Sequence, residues 1–212
     1  MSEGDRTDRL VARVLRADLG ECRVGHQIVV VEEAQSTNDL AWEAAGRGAA
    51  EGFVVFAERQ TAGRGQYGRR WESAPYKGLW FSVLLRPAIT LAQSPQLTSL
   101  LAGAVSATIQ QETGVPALIK LPNDIYLAGR KVAGILVEGR TEADGSYVAV
   151  AGIGVNVNHA IEDFPAELQT TAGSLAMASG RSLQRGALAV ALLRKLETDL
   201  SHFHAGVVAR NR

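Results

Sequence analysis

The spacing of apolar residues along the chain alternates between the period of a helix and that of a strand. Residues 94–113 show the clearest helical pattern, with apolar positions at i, i+3, i+4 and i+7, a proline in the first turn and Gly114 after the last residue. A second helix is expected after the sequence STN, where Ser36 or Thr37 can cap its first turn. We therefore predict helices over residues 7–19, from about residue 37, over residues 94–113 and over residues 183–200.

Short segments rich in β-branched and other apolar residues lie between these helices. They predict strands over residues 27–32, 53–57, 79–85, 117–120, 125–127, 131–138 and 147–157. Residues 128–130 (AGR) fit a hairpin turn between two of them. Because the strands cluster in the middle of the chain without a strict alternation with helices, we predict a single α+β domain over residues 1–212, with a mixed sheet covered by helices.

Composition and charge narrow the class of protein. The chain has 212 residues, with 22 basic and 22 acidic side chains, so it lacks the basic excess typical of a general nucleic-acid binder. Its single cysteine, Cys22, cannot form an internal disulfide and fits a reducing compartment. No stretch resembles a secretory signal or a membrane span. We expect a cytoplasmic protein that binds neither DNA nor membranes.

Residues 61–77 form a long predicted loop that begins TAGRGQYGRRW. Its three glycines allow the backbone to approach a ligand closely, and Arg64, Arg69 and Arg70 suit carboxylate or phosphate oxygens. The residues alone leave three interpretations open. The loop is a solvated turn, an RNA contact, which the zero net charge disfavours, or an anion-binding lid that excludes water.

Lys131 opens a predicted strand, and strict alternation puts its side chain on the face of Ala133, Ile135 and Val137. It is either a strand-end lysine in solvent or a cation in a pocket. Gly134 favours the pocket, because a glycine inside a strand often marks the close approach of a ligand or another backbone. The same argument applies to GIG at residues 152–154, although a pair of β-bulges is an alternative.

Other site signatures are weak or missing from the sequence. Asp124, in the turn sequence PND, could hold a divalent cation on a phosphate, but one carboxylate is a weak metal signature. The four histidines show no metal-ligand spacing, and no Walker loop or dinucleotide fingerprint is present. ATP, if it is used, is therefore bound in another way.

Five motifs occur together in one order: STN at 36–38, QTAGRGxxGRxW at 60–71, KxPND at 120–124, KxxGILxE at 131–138 and GxGxN at 152–156. In this combination the chain resembles the catalytic domain of biotin–protein ligases, over roughly residues 5–205. The resemblance implies a fold similar to class II aminoacyl-tRNA synthetases. It also implies a two-step reaction, in which biotin and ATP give biotinyl-5′-adenylate, and the biotinyl group then passes to a lysine of a biotin carboxyl carrier domain.

The resemblance also implies site residues. Lys131, Arg64 and Arg69 would supply positive charge for catalysis. The biotin-binding set is Ser36, Thr37, Asn38, Gln60, Gly63, Arg64, Gly65, Gln66, Lys131, Gly134 and Gly152. The nucleotide-binding set is Arg69, Trp71, Asn123, Asp124 and Asn156, with Asp124 as a ligand of Mg²⁺. Gly134 and Gly152 are expected to leave room for the ligand, and two chains are expected to be able to pair through sheet edges.

The sequence departs from the family pattern in two positions and in length. Gln66 replaces the second arginine of the loop, which predicts faster loss of the adenylate, and Leu121 replaces a tryptophan expected in the apolar wall of the pocket. The length predicts neither an N-terminal winged helix nor a C-terminal β-barrel. Two alternatives to a biotin ligase stay open, a lipoate or octanoate ligase of the same superfamily and a non-catalytic binder of biotin or its adenylate.

Overall fold

The computed structural model describes residues 8–210. The helices of this part are α1 (Ala12–Leu19), α2 (Thr37–Gly46), α3 (Ser94–Thr113), α4 (Leu175–Ser179) and α5 (Arg185–Arg210). The strands are β1 (Ile28–Ala34), β2 (Val54–Gln60), β3 (Gly78–Leu85), β4 (Ala117–Lys120), β5 (Asp124–Leu127), β6 (Arg130–Thr141) and β7 (Tyr147–Asn156). Each predicted strand therefore exists, with ends that shift by a few residues.

The strands form one seven-stranded sheet in the order β1-β2-β3-β7-β6-β5-β4. Strands β1 and β2 are parallel and are connected through α2, whereas the other neighbours are antiparallel. This mixed sheet with helices on its faces confirms the predicted α+β class.

The two faces of the sheet are covered to different extents. The larger hydrophobic core lies on one face, where α1, α3 and α5 pack against the strands. On the other face a smaller core joins α2 to the sheet through Ala41, Ala45, Phe53, Val55, Leu84, Val148 and Val150. Beyond α2 on this second face, β3 and β7 carry the aligned pairs Ser82–Gly152 and Trp80–Gly154. The helix leaves this part of the sheet open to a site.

Two helix ends lie where the neighbouring residues in the sequence predicted them. Helix α3 ends at Gly114, whose φ of 72° is the left-handed conformation that glycine adopts without strain, as the sequence predicts. Helix α2 begins after Ser36, whose hydroxyl accepts a hydrogen bond from the amide of Asn38 at 3.3 Å. The predicted cap is confirmed.

Other boundaries depend on distant contacts. The first helix begins at Ala12, whereas the predicted start at residue 7 lies outside the described residues. Just before the helix, the amide of Leu10 donates to Glu58 at 2.9 Å. The last helix begins at Arg185, whose buried guanidinium pairs with Glu58 at 2.6 Å and with Asp8 at 3.1 Å. These contacts join the first described residues and the start of α5 to Glu58 on β2, and no local sequence pattern predicts them. Helix α4 was not predicted.

Candidate active site

A pocket lies on the second face of the sheet, between the start of α2 and the loop after β2. Most of the predicted site residues reach it, although they come from five separate parts of the chain. Its lining consists of Ser36, Thr37, Asn38, Gln60, Arg64, Gly65, Gln66, Trp71, Asn123, Lys131, Gly134, Ile135, Leu136, Gly152, Ile153 and Gly154.

Neutral polar groups line one end of the pocket. Gln60 Oε1 accepts hydrogen bonds from the amide of Thr37 at 2.8 Å and from its hydroxyl at 3.2 Å. The hydroxyl of buried Ser82 lies 2.7 Å from Thr37 Oγ1 and 2.6 Å from Asn38 Oδ1. These bonds fix the positions of several donors and acceptors before any ligand arrives. Ser82 was not predicted, because a lone serine inside an apolar strand gives no sequence signal.

Gly152 accommodates the side chain of Asn38. A Cβ atom at position 152 would lie 2.4 Å from Asn38 Oδ1, so no residue other than glycine fits beside this amide without displacing it. The space that we expected to be open for a ligand is therefore used, in this structure, by a side chain of the site itself.

Trp71 covers two further glycines. A Cβ at Gly134 would lie 2.8 Å from the Trp71 indole, and a Cβ at Gly154 would lie 2.6 Å from it. The indole also makes an edge contact with Trp80, with ring centroids 6.1 Å apart. Because Gly134 and Gly154 have no side chains, the Trp71 indole packs directly against the backbone of β6 and β7. Gly134 was expected to leave room for a ligand, and here that room holds Trp71.

Lys131 lies on the pocket face because of a β-bulge. Tyr126 pairs with Lys131 and Ile125 pairs with Ala133, so Val132 is an extra residue on β6. The bulge reverses the alternation, and the prediction that Lys131 shares a face with Ala133 is wrong. Ala133 is buried in the larger core on the opposite face.

The ammonium of Lys131 is surrounded by the site. Its Nζ lies 2.7 Å from Asp124 Oδ1 and 5.3 Å from the centroid of the Trp71 ring, over its face. The contact with Asp124 is not directed as a hydrogen bond, so it is mainly a charge–charge attraction. The backbone of Lys131 is held by Thr171 and Gly173, at 2.8 Å and 2.9 Å. The segment at 171–173 was not predicted to belong to the site.

The loop after β2 folds back on itself above the pocket. The amide of Gly65 donates to Arg69 O at 2.7 Å, and the amide of Trp71 donates to Gly63 O at 2.9 Å. A Cβ at Gly63 would lie 2.7 Å from Trp71 O, which requires glycine there. The loop is therefore an ordered turn with Trp71 beneath it, and several of its residues, Tyr67 and Arg69 among them, are exposed to solvent.

Arg64 is the loop guanidinium that reaches the pocket. It makes two bonds to the carboxylate of Asp39, at 2.9 Å and 2.6 Å, and lies 3.4 Å from Glu138 Oε1. Hydrogen bonding to Asp39, followed by the charges of Glu138 and Asp39, raises the pKa of Arg64 above its ordinary value, against the opposing effect of burial. Asp39 and Glu138 were not among the predicted site residues, although Glu138 closes one of the motifs.

The other two arginines of the loop do not line the pocket. Arg69 is exposed and does not line the pocket, and Arg70 pairs with Glu72 at 3.0 Å. Leu121, expected in the apolar wall, is 77% exposed and is not part of the lining. The structure thus brings Arg64 but not Arg69 to Lys131.

Two of the predicted nucleotide-side residues, Asn123 and Asn156, use their side chains to bind backbone carbonyls. Asn123 donates its amide to Ile135 O at 3.0 Å, and Asn156 donates its amide to Gly173 O at 2.9 Å. Both side chains therefore hold backbone segments of the site in place, and Asn123 also lines the pocket. Across residues 8–210 no group of three or more His, Cys, Asp or Glu side chains is arranged to hold a metal ion. In the same part of the chain no helix is both long and apolar enough to cross a membrane.

Comparisons with known proteins agree with this geometry. The bifunctional ligase/repressor BirA of Bacillus subtilis is 43% identical over 162 residues, which cover 76% of this chain and 50% of that protein. The biotin–[acetyl-CoA-carboxylase] ligase of Mycobacterium tuberculosis is 36% identical over 179 residues, covering 82% and 64%. The chain therefore spans about half to two thirds of the length of these relatives.

A solved structure of biotin protein ligase from Aquifex aeolicus, in complex with biotin and ATP, superposes with a TM-score of 0.71 at 30% identity. The superposition covers 84% of this chain and 72% of the Aquifex aeolicus chain. The pattern of the biotin/lipoate A/B protein ligase family matches residues 30–158, well over half of the sequence and most of the pocket. This chain belongs to the biotin/lipoate A/B protein ligase family.

Proposed function

We propose that this chain attaches biotin to a lysine of the biotin carboxyl carrier domain of a biotin-dependent carboxylase, using ATP and passing through biotinyl-5′-adenylate. The observation that carries the proposal is one pocket in which a neutral hydrogen-bonding end, built around Thr37 and Asn38, meets the cation Lys131. Such a pocket suits a molecule with an uncharged polar ring at one end and a carboxylate at the other. The relatives named as biotin ligases support the same choice.

In the first step, a carboxylate oxygen of biotin attacks the α-phosphorus of ATP. The bond between that phosphorus and the bridging oxygen to the β-phosphate breaks, and pyrophosphate leaves with the electron pair. The carboxylate is already ionised at neutral pH, so no general base is needed. The obstacle is repulsion between two anions, which Lys131 and Arg64 reduce by fixed positive charge.

In the second step, the neutral amine of the carrier lysine attacks the carbonyl carbon of the mixed anhydride. The bond from that carbon to the phosphate oxygen breaks, AMP leaves, and the nitrogen loses a proton to solvent. Because water is a competing nucleophile, a closed loop over the anhydride protects it from hydrolysis.

The remaining predicted residues take the following roles in the proposal. Ser36, Thr37, Asn38 and Gln60 bind the ureido ring, and the backbone at Gly63 and Gly65 surrounds the adenylate. Trp71, Asn123, Asp124 and Asn156 lie on the nucleotide side. Arg69 acts only if the loop turns it inward from the exposed position it has here.

Mg²⁺ would be held on the ATP phosphates by Asp124. The donor set fits in part, because Asp124 Oδ1 is buried beside Lys131 and makes no directed hydrogen bond. A single carboxylate together with substrate phosphates is a usual environment for this ion. The ion would neutralise phosphate charge during the attack, while Lys131 orients the carboxylate. Pairing of two chains through sheet edges is also proposed, and light scattering at several concentrations tests it.

The deciding experiment has two readouts. Exchange of labelled pyrophosphate into ATP that depends on biotin tests adenylate formation, which a mere binder cannot perform. Streptavidin detection of a carrier domain after incubation with ATP and biotin tests transfer. Lys131→Ala should abolish both, whereas Lys195→Ala, which removes a lysine paired with Asp199 on α5, should leave both unchanged. Exchange that depends on lipoate instead of biotin would overturn the proposal.

A further inference from the structure

The backbone of Lys131 lies beyond the last pair that β6 makes with β7. That ladder of hydrogen bonds reaches only to Ala133. A short segment at residues 171–173 pairs with Lys131 instead. The amide of Lys131 donates to Thr171 O at 2.8 Å, and the carbonyl of Lys131 accepts from the Gly173 amide at 2.9 Å. The segment therefore lies where β7 would otherwise continue, as a parallel neighbour of β6.

Arg130, the residue before Lys131, holds this segment with its side chain. Its Nη1 donates to the carbonyl oxygens of Gln169 and Ala172, the latter at 3.1 Å. The stem of Arg130 packs closely on Gly173, where a Cβ atom would lie 2.8 Å from the Cβ of Arg130. Hydrogen bonds from a charged donor are stronger than those between neutral groups. The guanidinium thus ties residues 169–173 to the first residue of β6.

The position of Lys131 depends on this support because β6 is irregular there. Val132 is the extra residue of a β-bulge, and a bulge interrupts the regular pairing with β5. The bonds to Thr171 and Gly173 restrain the backbone from the other side. A displacement of about 1 Å at a reacting group can cost about 100-fold in rate. A shift of the segment would therefore affect the ammonium that we propose to act in catalysis.

We propose that Arg130 is a positioning residue for the reaction. By holding residues 169–173 against β6, it fixes the backbone of Lys131 and, with it, the place of the ammonium beside Asp124. Arg130 does not line the pocket, so it acts through Lys131 and not on the substrates. This inference rests on the proposed function for the reaction that is measured.

Replacement of the guanidinium tests the effect on the reaction. Arg130→Met removes the donor and keeps an unbranched stem, and it should lower the rate constant of biotin-dependent pyrophosphate exchange about 10-fold to 100-fold. Both hydrogen bonds come from one nitrogen, and an ammonium also has enough hydrogens to make them. Arg130→Lys should therefore recover most of the lost rate. A lysine variant as slow as Arg130→Met would contradict the role of the two carbonyl bonds.

The double variant Arg130→Met with Lys131→Met separates positioning from an independent contribution. Effects of residues that act as a unit are not additive. In the Lys131→Met background, Arg130→Met should lower the residual exchange by less than about twofold. If it lowers the residual exchange as much as it does in the wild-type background, Arg130 acts independently of Lys131 and the inference is overturned.

Hydrogen exchange of single amides, followed by NMR, tests the placement without any measurement of activity. Arg130→Met should speed exchange of the Lys131 and Gly173 amides about tenfold, the effect of losing one charged hydrogen bond. Amides in the middle of β3 should keep their wild-type rates. An equal rise in β3 would indicate general loosening of the fold and would also overturn the inference.

Arg194→Met is the matched control. Arg194 on α5 also donates to a backbone carbonyl, that of Asp18 at 2.5 Å, but α5 packs on the face of the sheet opposite to the pocket. This variant should leave pyrophosphate exchange and both amides unchanged. If the wild type shows no biotin-dependent exchange, the proposed function fails. Unchanged Lys131 and Gly173 amides in Arg130→Met would in that case still overturn the role of Arg130.

Discussion

The ammonium of Lys131 lies 2.7 Å from Oδ1 of Asp124, on the face of the sheet opposite to the apolar residues that follow it on β6. The extra residue Val132 turns the lysine toward the pocket, and the carboxylate holds it there. Both groups are mostly shielded from solvent, with 30% of the lysine side chain and 19% of the aspartate side chain exposed. The pair therefore links the position of the proposed catalytic cation to the stability of the strand that carries it.

Removing the charge of Lys131 should separate catalysis from stability. Lys131→Met is expected to lower biotin-dependent pyrophosphate exchange about 100-fold to 1,000-fold, the range for loss of one group that stabilises transition-state charge. It should also lower the free energy of unfolding by about 1–2 kcal/mol, because Asp124 stays partly buried without its counter-charge.

The double variant Lys131→Met with Asp124→Asn provides the control for that prediction. It should recover most of the lost stability, measured by urea unfolding, but none of the lost exchange activity. A double variant less stable than Lys131→Met would contradict this account of the pair.

The packing of Trp71 against Gly154 predicts the effect of adding one methyl group at position 154. Gly154→Ala places a Cβ about where the indole lies, so the ring must move outward. We expect the free energy of unfolding to fall by about 1–3 kcal/mol from overpacking, and the tryptophan emission to shift to the red. Gly103→Ala, in α3 with no atom near the new Cβ, should be neutral or stabilising. Equal free energies of unfolding and equal emission spectra in the two variants would show that the indole does not pack against Gly154.

The position of Gln66 in the pocket lining predicts the effect of replacing it with the arginine of the family pattern. Gln66 lies in the pocket, and Gln66→Arg adds a cation where the proposed adenylate has its phosphate. In a single-turnover chase the variant should release biotinyl-adenylate more slowly, by about tenfold, the effect of one charged hydrogen bond. Tyr67→Arg adds the same charge next to it, on a side chain that is 91% exposed, and should leave release unchanged. Equal release from Gln66→Arg and wild type would sink this idea.

Stability at acidic pH should depend on His159. Its ring stacks on Phe164 at 4.9 Å and meets Trp80 edge-on at 5.8 Å. Burial lowers its pKa from the usual 6.5 to about 4, with Lys77 and Arg185 also lowering it and Asp163 opposing. The neutral ring is thus the folded form, and its contribution is complete above pH 6.5.

As the pH falls from about 6.5 to about 4, the unfolded chain takes up a proton that the folded chain does not, so stability is lost by up to about 3 kcal/mol. His159→Phe should flatten this part of the stability curve, measured by urea unfolding at several pH values. His26→Gln, at an exposed position, should leave the curve unchanged. A wild-type curve that is flat between pH 6.5 and 4 would rule out the buried neutral ring.

The sequence was sufficient to predict a helix or strand end wherever neighbouring residues alone determine that end. Helix α3 stops at Gly114 because glycine there adopts a left-handed turn, and α2 starts at Ser36 because its hydroxyl caps the first turn. Strand β4 matches its predicted range, since its apolar run is bounded by breakers. The motifs also indicated which chemical groups the site would contain, and most of those groups line one pocket.

What the sequence by itself determined is the α+β class, the periods of the elements and the types of group at the site. The tertiary structure decided which of them meet. A one-residue bulge puts Lys131 in the pocket, the turn of the loop leaves Arg69 outside it, and Asp39 and Ser82 join a network that no motif marks. The reason is physical: the face on which a side chain lies depends on strand register and on contacts between distant segments, and neither is encoded in the spacing of neighbouring residues.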